Sequence, residues 1–339
     1  MNKKRVFLLL AAGLVLGSGF GQTPMSPRKL ATLGPDETIV TDESDLLTGG
    51  TAGCLVDDFF IVTQVPRGGN SIFFTYDKSG RKGPFVRMTE GLLRKGTPAQ
   101  EPHKFYFESE PSVEGIQEET DPKDLTKQFL EFSGKRVGPF QQFLLASISP
   151  DKSRIFALGV RDKKLRFAAS DGRDVPASGQ PESLIFGPVG TKAIAKCMGT
   201  ITVYEGLQLK PEDMNPTMFD DTTLYTLDGK KYGPFTKKDD FGKVWFLSDS
   251  DDWLFTVGPV VYFNGTPLKP FKDQIRETSF WIDDATHYAW LEDEQLRFSD
   301  GASYPNPVML KWEKKAGKTT LCWISIGPNR DVVAYSRPL

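Results

Sequence analysis

Carboxylates, hydroxyls and aromatic rings are the side chains this sequence offers for chemistry; imidazole is nearly absent. Only His103 and His287 occur. His103 follows Pro102 in a polar stretch, and His287 stands beside Tyr288 in a strand-like pattern. No His-Glu-x-x-His spacing exists to hold a metal, and no Gly-x-Ser-x-Gly elbow presents a nucleophilic serine. Asp249, Asp251 and Asp252 resemble part of a calcium loop. They lack its glycine and terminal glutamate, and they fall where a hairpin turn is expected. A second acidic group, Glu114, Glu118, Glu119, Asp121 and Asp124, reads as a solvated loop, with a recognition loop as the sharper alternative. Asp220-Asp221 and Asp239-Asp240 read as solvated too. No catalytic, cofactor-binding or metal-binding residue is assigned, and no cofactor is implied.

Aromatic side chains are plentiful, with 25 Phe and 6 Trp. Trp245, Trp253, Trp281, Trp290 and Trp323 fall on predicted strands, where burial in the core is the expected role. Exposed sugar-stacking platforms are the alternative. Asn264-Gly265-Thr266 matches a glycosylation sequon, but a turn accounts for it.

The elements that must position these residues come from a repeat. Ser79-Gly80-Arg81-Lys82-Gly83-Pro84-Phe85 recurs at Ser133–Phe140 and Asp228–Phe235. Weaker copies begin at Asn264, Ser299 and Ser170. The Asp-Gly, Asn-Gly or Ser-Gly step supplies the positive φ of a tight hairpin turn. The proline that follows has no amide to donate, which places its strand at a sheet edge. A second hairpin precedes each phrase, as in Leu144–Leu158. Gly229, Gly265 and Gly301 are spaced 36 residues apart. Four short strands per unit, over roughly 36–40 residues, is the period of propeller blades.

The expected fold is therefore all-β: one propeller over residues 36–339, with seven four-stranded blades and six as the alternative. Glu108–Lys127 reads as an excursion from a blade. The chain ends after Val332–Tyr335, read as the second strand of a last unit. Residues from Glu37 to Leu47 are expected to complete that unit and close the ring.

The run Ser149-Pro150-Asp151-Lys152-Ser153-Arg154-Ile155-Phe156-Ala157-Leu158 resembles the Ser-Pro-Asp-Gly-Lys signature of TolB-like β-propeller repeats. Asp228–Phe235 resembles a second segment of such propellers. Lys152 stands where that signature has glycine. The resemblance implies the fold and a periplasmic interaction role. It implies no catalytic residue.

Residues 1–21 read as a cleavable signal peptide. Lys3, Lys4 and Arg5 precede an apolar run from Val6 to Leu16, and Gly19 and Gly21 are small. Residues 22–35 are read as an extended or disordered segment. No other run is long enough to span a membrane in the mature chain. A net charge of −2 argues against a nucleic-acid partner. Cys54, Cys197 and Cys322 make no disulfide framework and are read as buried thiols. The expected role is a binding scaffold for an envelope protein or peptide. The alternative is a carbohydrate-binding or glycoside-acting propeller, which needs two carboxylates about 5 Å or about 6.5–9.5 Å apart.

Overall fold

The computed structural model describes residues 25–40, 61–67, 70–86, 104–199, 221–305 and 307–339. The leader, Cys54, His103 and Asp220 lie outside the described residues. Strand β1 is Met25–Thr32. Sheet 1 holds β2 Thr38–Ile39, β3 Ile61–Arg67, β4 Asn70–Asp77 and β5 Gly80–Phe85. After β6, Tyr106–Phe107, sheet 2 holds β7 Gln117–Asp121, β8 Asp124–Phe132 and β9 Lys135–Phe140. Sheet 3 holds β10 Gln142–Ile148, β11 Ile155–Arg161, β12 Lys164–Ala169 and β13 Asp174–Pro176. Sheet 4 holds β14 Gln180–Phe186, β15 Ala193–Met198, β16 Asp221–Thr226 and β17 Lys231–Thr236. Sheet 5 holds β18 Phe241–Leu247, β19 Trp253–Val257, β20 Val260–Phe263 and β21 Thr266–Pro267. Sheet 6 holds β22 Phe280–Ile282, β23 Tyr288–Glu292, β24 Gln295–Phe298 and β25 Ser303–Pro305. Sheet 7 holds β26 Pro307–Lys315, β27 Lys318–Ile326 and β28 Asp331–Pro338, with β1 beside β28. The strand pairings are antiparallel.

Side-chain alternation explains how the sheets stack. In β11, Ile155 and Ala157 join Leu130, Val137 and Phe140 of sheet 2. Their neighbours Phe156 and Leu158 point the other way, into Leu184 and Phe186 of sheet 4. The strand is apolar throughout because both its faces are covered. Strand β19 does the same: Trp253 and Phe255 meet Ile194 and Leu224 of sheet 4. Leu254 joins a cluster running through sheets 5, 6 and 7. Ile324, Val332 and Ala334 of sheet 7 pack on Ile61 and Tyr76 of sheet 1. Sheets 2 to 7 thus follow one another in chain order, and sheet 7 meets sheet 1.

The Gly-Pro-Phe phrases lie on β5, β9 and β17, each an edge strand. Each pairing carries a bulge at the same place, between Phe73 and Thr75, Gln128 and Leu130, and Thr222 and Leu224. Gly83, Gly138 and Gly233 sit there with positive φ, and their Gly–Pro bonds are cis. A Cβ on them would come within 2.9, 2.8 and 2.6 Å of the carbonyl oxygens of Phe73, Gln128 and Thr222. Only glycine fits.

Three expectations are corrected. The last unit supplies three strands: Leu321–Ile326 and Val332–Tyr335 are parts of its second and third, after Pro307–Lys315. The strand added to it is Met25–Thr32, within the segment read as extended or disordered. Glu37–Val40 instead leads into sheet 1. Residues 117–127, read as part of the Glu108–Lys127 excursion, belong to the β7–β8 hairpin.

Glu37 stands at the seam of sheets 7 and 1 and is 1% exposed. Its carboxylate accepts from the Thr63 hydroxyl, from Tyr76 Oη at 2.9 Å and from Gly34 N at 2.9 Å. Arg81 lies 3.3 Å away. Arg330 Nε donates to Gly34 O at 2.9 Å, and its Nη2 donates to Glu37 O. Burial pushes the Glu37 carboxyl up, but these hydrogen bonds and Arg81 outweigh it and hold it below 4.5. A depressed folded value means stability that is present above the unfolded value and lost as the pH falls. Glu37→Gln is expected to cost about 1–3 kcal/mol near neutral pH. Its cost should shrink as the pH drops below 4.5. Urea unfolding of both proteins across that range checks this: parallel curves would count against it.

Candidate binding cleft

From Lys104 to Glu114 the chain leaves its own sheet and runs as a strap. Tyr106 and Phe107 pair with Leu247 and Phe246 and give sheet 5 a fifth strand. Ser248 N donates to Phe105 O at 2.9 Å. The Phe105 ring stands edge-on to Trp312 of β26 at 5.0 Å. Tyr106 lies 5.7 Å from Trp245 and donates its hydroxyl to Phe280 O of β22 at 2.8 Å. Burial, then the Glu277 charge, pushes that hydroxyl well above the ordinary phenol range. Further on, Ser112 O accepts from Ile148 N at 2.9 Å, and Ser112 N donates to Ser147 Oγ at 3.2 Å. The strap therefore ties the first strands of sheets 5, 6 and 7 to that of sheet 3.

Beside it opens a cleft of about 680 Å³. Phe107, Phe132, Ile148 and Phe186 supply apolar lining. Glu108, Glu110 and Glu114 come from the strap, and Lys152 from the turn after β10. A volume of that size fits a peptide side chain or a small ligand. The three glutamates favour a cation, and the apolar lining favours the stem that carries it. Lys104 meets Glu108 at 3.1 Å, with both side chains exposed, a contact of little weight.

Carboxylates of the turns on this side, Asp251 buried and Asp283 half-buried, join neighbouring sheets. Asp251 is 8% exposed. It accepts from Val189 N at 3.0 Å, Thr191 N at 2.5 Å, Lys192 N at 2.9 Å and the Thr191 hydroxyl. One side chain of sheet 5 thereby holds the whole turn of sheet 4. Asp283 repeats the device, accepting from Thr319 N at 2.7 Å and Thr319 Oγ1 at 2.6 Å. In the signature turn, Ser149 Oγ accepts from Ser153 N and Arg154 N at 3.1 and 2.9 Å. Lys152, where the signature has glycine, takes a φ of 56°.

Asp249, Asp251 and Asp252 thus face protein donors: Lys314 holds Asp249 at 2.9 Å, and Asn264 Nδ2 holds Asp252 at 2.8 Å. The Asn264 amide oxygen accepts from Trp253 N at 3.2 Å, so the sequon asparagine is engaged on both ends. Of the acidic group, Glu114 faces the cleft. Glu118, Glu119 and Asp121 lie on β7, and Asp124 opens β8. Arg136 meets Glu119 at 3.1 Å. Hydrogen bonds from Thr126 and Lys127 hold the exposed Asp124 carboxyl at about 2. Asp221 opens β16, while Asp239 and Asp240 lie in a solvated turn. His287 is exposed in a turn, its Nδ1 2.8 Å from Asp284.

The five strand tryptophans and Trp312 are all buried, at 9% exposure or less, so none is a platform for a sugar. Cys197 is a buried free thiol, and burial raises it to about 12. Cys322 is disulfide-bonded, which corrects the reading of three thiols. The strap itself escaped the sequence reading; three consecutive aromatics, Phe105 to Phe107, were its signal.

No family model matches the chain, and no curated protein matches it. Among solved structures it is similar to TolB from Acinetobacter baumannii, at 12% identity and a TM-score of 0.24, over 82% of this chain and 79% of that one. A likeness that slight carries no residue and no role across.

Asp251→Ala leaves three turn amides without their acceptor. A loss of about 3 kcal/mol is expected, read from urea unfolding. A change below about 0.5 kcal/mol, the surface-substitution range, would show that the turn holds itself.

Proposed function

We propose that this chain is an exported, seven-bladed β-propeller acting as an interaction scaffold in the cell envelope, periplasmic or extracellular. It takes a protein or peptide segment in the cleft beside the strap. The observation that carries this reading is the cleft itself, with its apolar lining and three glutamates. Seven sheets stacked in chain order support the propeller, as does the pairing of β1 with β28. That pairing covers an edge that would otherwise invite aggregation. The basic and apolar leader supports export, and so does a disulfide at Cys322, since such bonds persist in oxidising compartments.

A second reading keeps one support. Three carboxylates at one cleft could serve a carbohydrate, but the buried tryptophans remove the stacking surfaces that would help it.

Expression of the tagged mature chain from Gln22, mild cross-linking and mass spectrometry test the scaffold. A stoichiometric envelope protein is expected. Nothing beyond the untagged control would sink the scaffold and leave the glycan reading, to be checked on arrays. Export is tested separately. Alkylation of the denatured, unreduced envelope protein should modify Cys197 and spare Cys322; modification of Cys322 without reductant would contradict an oxidised site.

A further inference from the structure

Among the described residues sheet 2 has three strands, where sheets 1 and 4 have four, and its place in the series shows which position is open. The glycine turn and its bulge precede the last strand in sheets 1, 2 and 4. Strands β5, β9 and β17 are therefore equivalent. Three strands lie ahead of β5 and of β17, but only β7 and β8 lie ahead of β9. Among the described residues, sheet 2 has no first strand. The chain just ahead of β7 is the strap, and it pairs with β18 of sheet 5 instead.

Strand β7 is left with β8 as its one strand neighbour among the described residues. Gln117 to Thr120 are exposed. An edge of this kind is a template for another strand. Charge decides which. Glu118 and Glu119 lie on β7, and Glu114 lies three residues ahead of it. Among the described residues Glu119 meets Arg136, and Glu114 and Glu118 make no ion pair. A second copy of this chain would set these glutamates against their own kind, which is unfavourable across paired strands. A cationic strand would meet them favourably, and the exposed Val113 offers apolar contact beside it.

We propose that the β7 edge accepts an extended, Lys- or Arg-rich segment of a partner protein in the open first-strand position, antiparallel to β7. Main-chain hydrogen bonds give the affinity, and the glutamates select the charge. This deepens the scaffold reading and rests on it.

The probe is a short, labelled, alternating Lys-Val peptide, titrated by fluorescence anisotropy into the full mature chain. Two N-methylated versions, each with one alternate set of amides blocked, separate strand addition from charge attraction. One set faces β7 and the other faces away. Methylation of one set is expected to weaken binding by about tenfold or more, and methylation of the other to leave it unchanged. The surface variant Glu118→Lys, on β7 and outside the cleft lining, should weaken the parent peptide by about tenfold. Equal binding of both methylated peptides would overturn strand addition. So would no binding to about 1 mM, the weak end of peptide affinity, or edge-to-edge dimers of the chain in sedimentation. If Glu118→Lys still captures its envelope partner at full yield, the β7 site falls and the scaffold reading stands.

Discussion

The structure depends on burying the middle strands on both faces. A strand such as Ile155–Arg161 has no solvent side, so it needs a sheet against each face. Each buried Leu, Ile or Phe contributes about 1.5–3 kcal/mol, while an exposed ion pair contributes about 0–1. Apolar contact therefore sets the order of the sheets, and the surface pairs, such as Lys104 with Glu108, decide little. Burial is non-directional, however, and leaves the sheets free to slide. Asp251 and Asp283 supply the direction. Asp251 accepts from the turn of sheet 4 and the half-buried Asp283 from the start of β27, and each fixes the level at which two sheets meet.

The repeat was legible because its signals are local. A glycine that must take positive φ, a proline with no amide and a run of apolar residues need no knowledge of the rest of the chain. The last unit was misread because its first strand, Pro307–Lys315, ends in Lys311, Glu313, Lys314 and Lys315, which look like loop. Strand Met25–Thr32 was missed for a related reason. It is an outer strand of sheet 7 and has little need of apolar residues beyond Leu30 and Ala31, which pack on the seam cluster. Strand β7 hid among acids because its exposed residues show no alternation between core and solvent.

The strap was illegible for a different reason. Tyr106–Phe107 is too short to carry a period, and its partner, β18, lies far away in sequence. Only the tertiary fold decides that these aromatics serve sheet 5 and its neighbours. The cleft inherits this: its acidic side comes from the strap, its apolar lining largely from other sheets. A scan for motifs finds neither, because no single segment holds the site.

The carboxylates divide by what they accept. Glu37, Asp251 and Asp283 are buried or nearly so, and each takes several donors from the protein. Their charge is consumed in holding turns and seams, and removing it would strand buried donors. Glu110, Glu114 and Glu118 are exposed and accept nothing comparable. Long-range attraction of a cation needs only charge and access, and they have both. The first group serves the architecture, and the proposed recognition draws on the second.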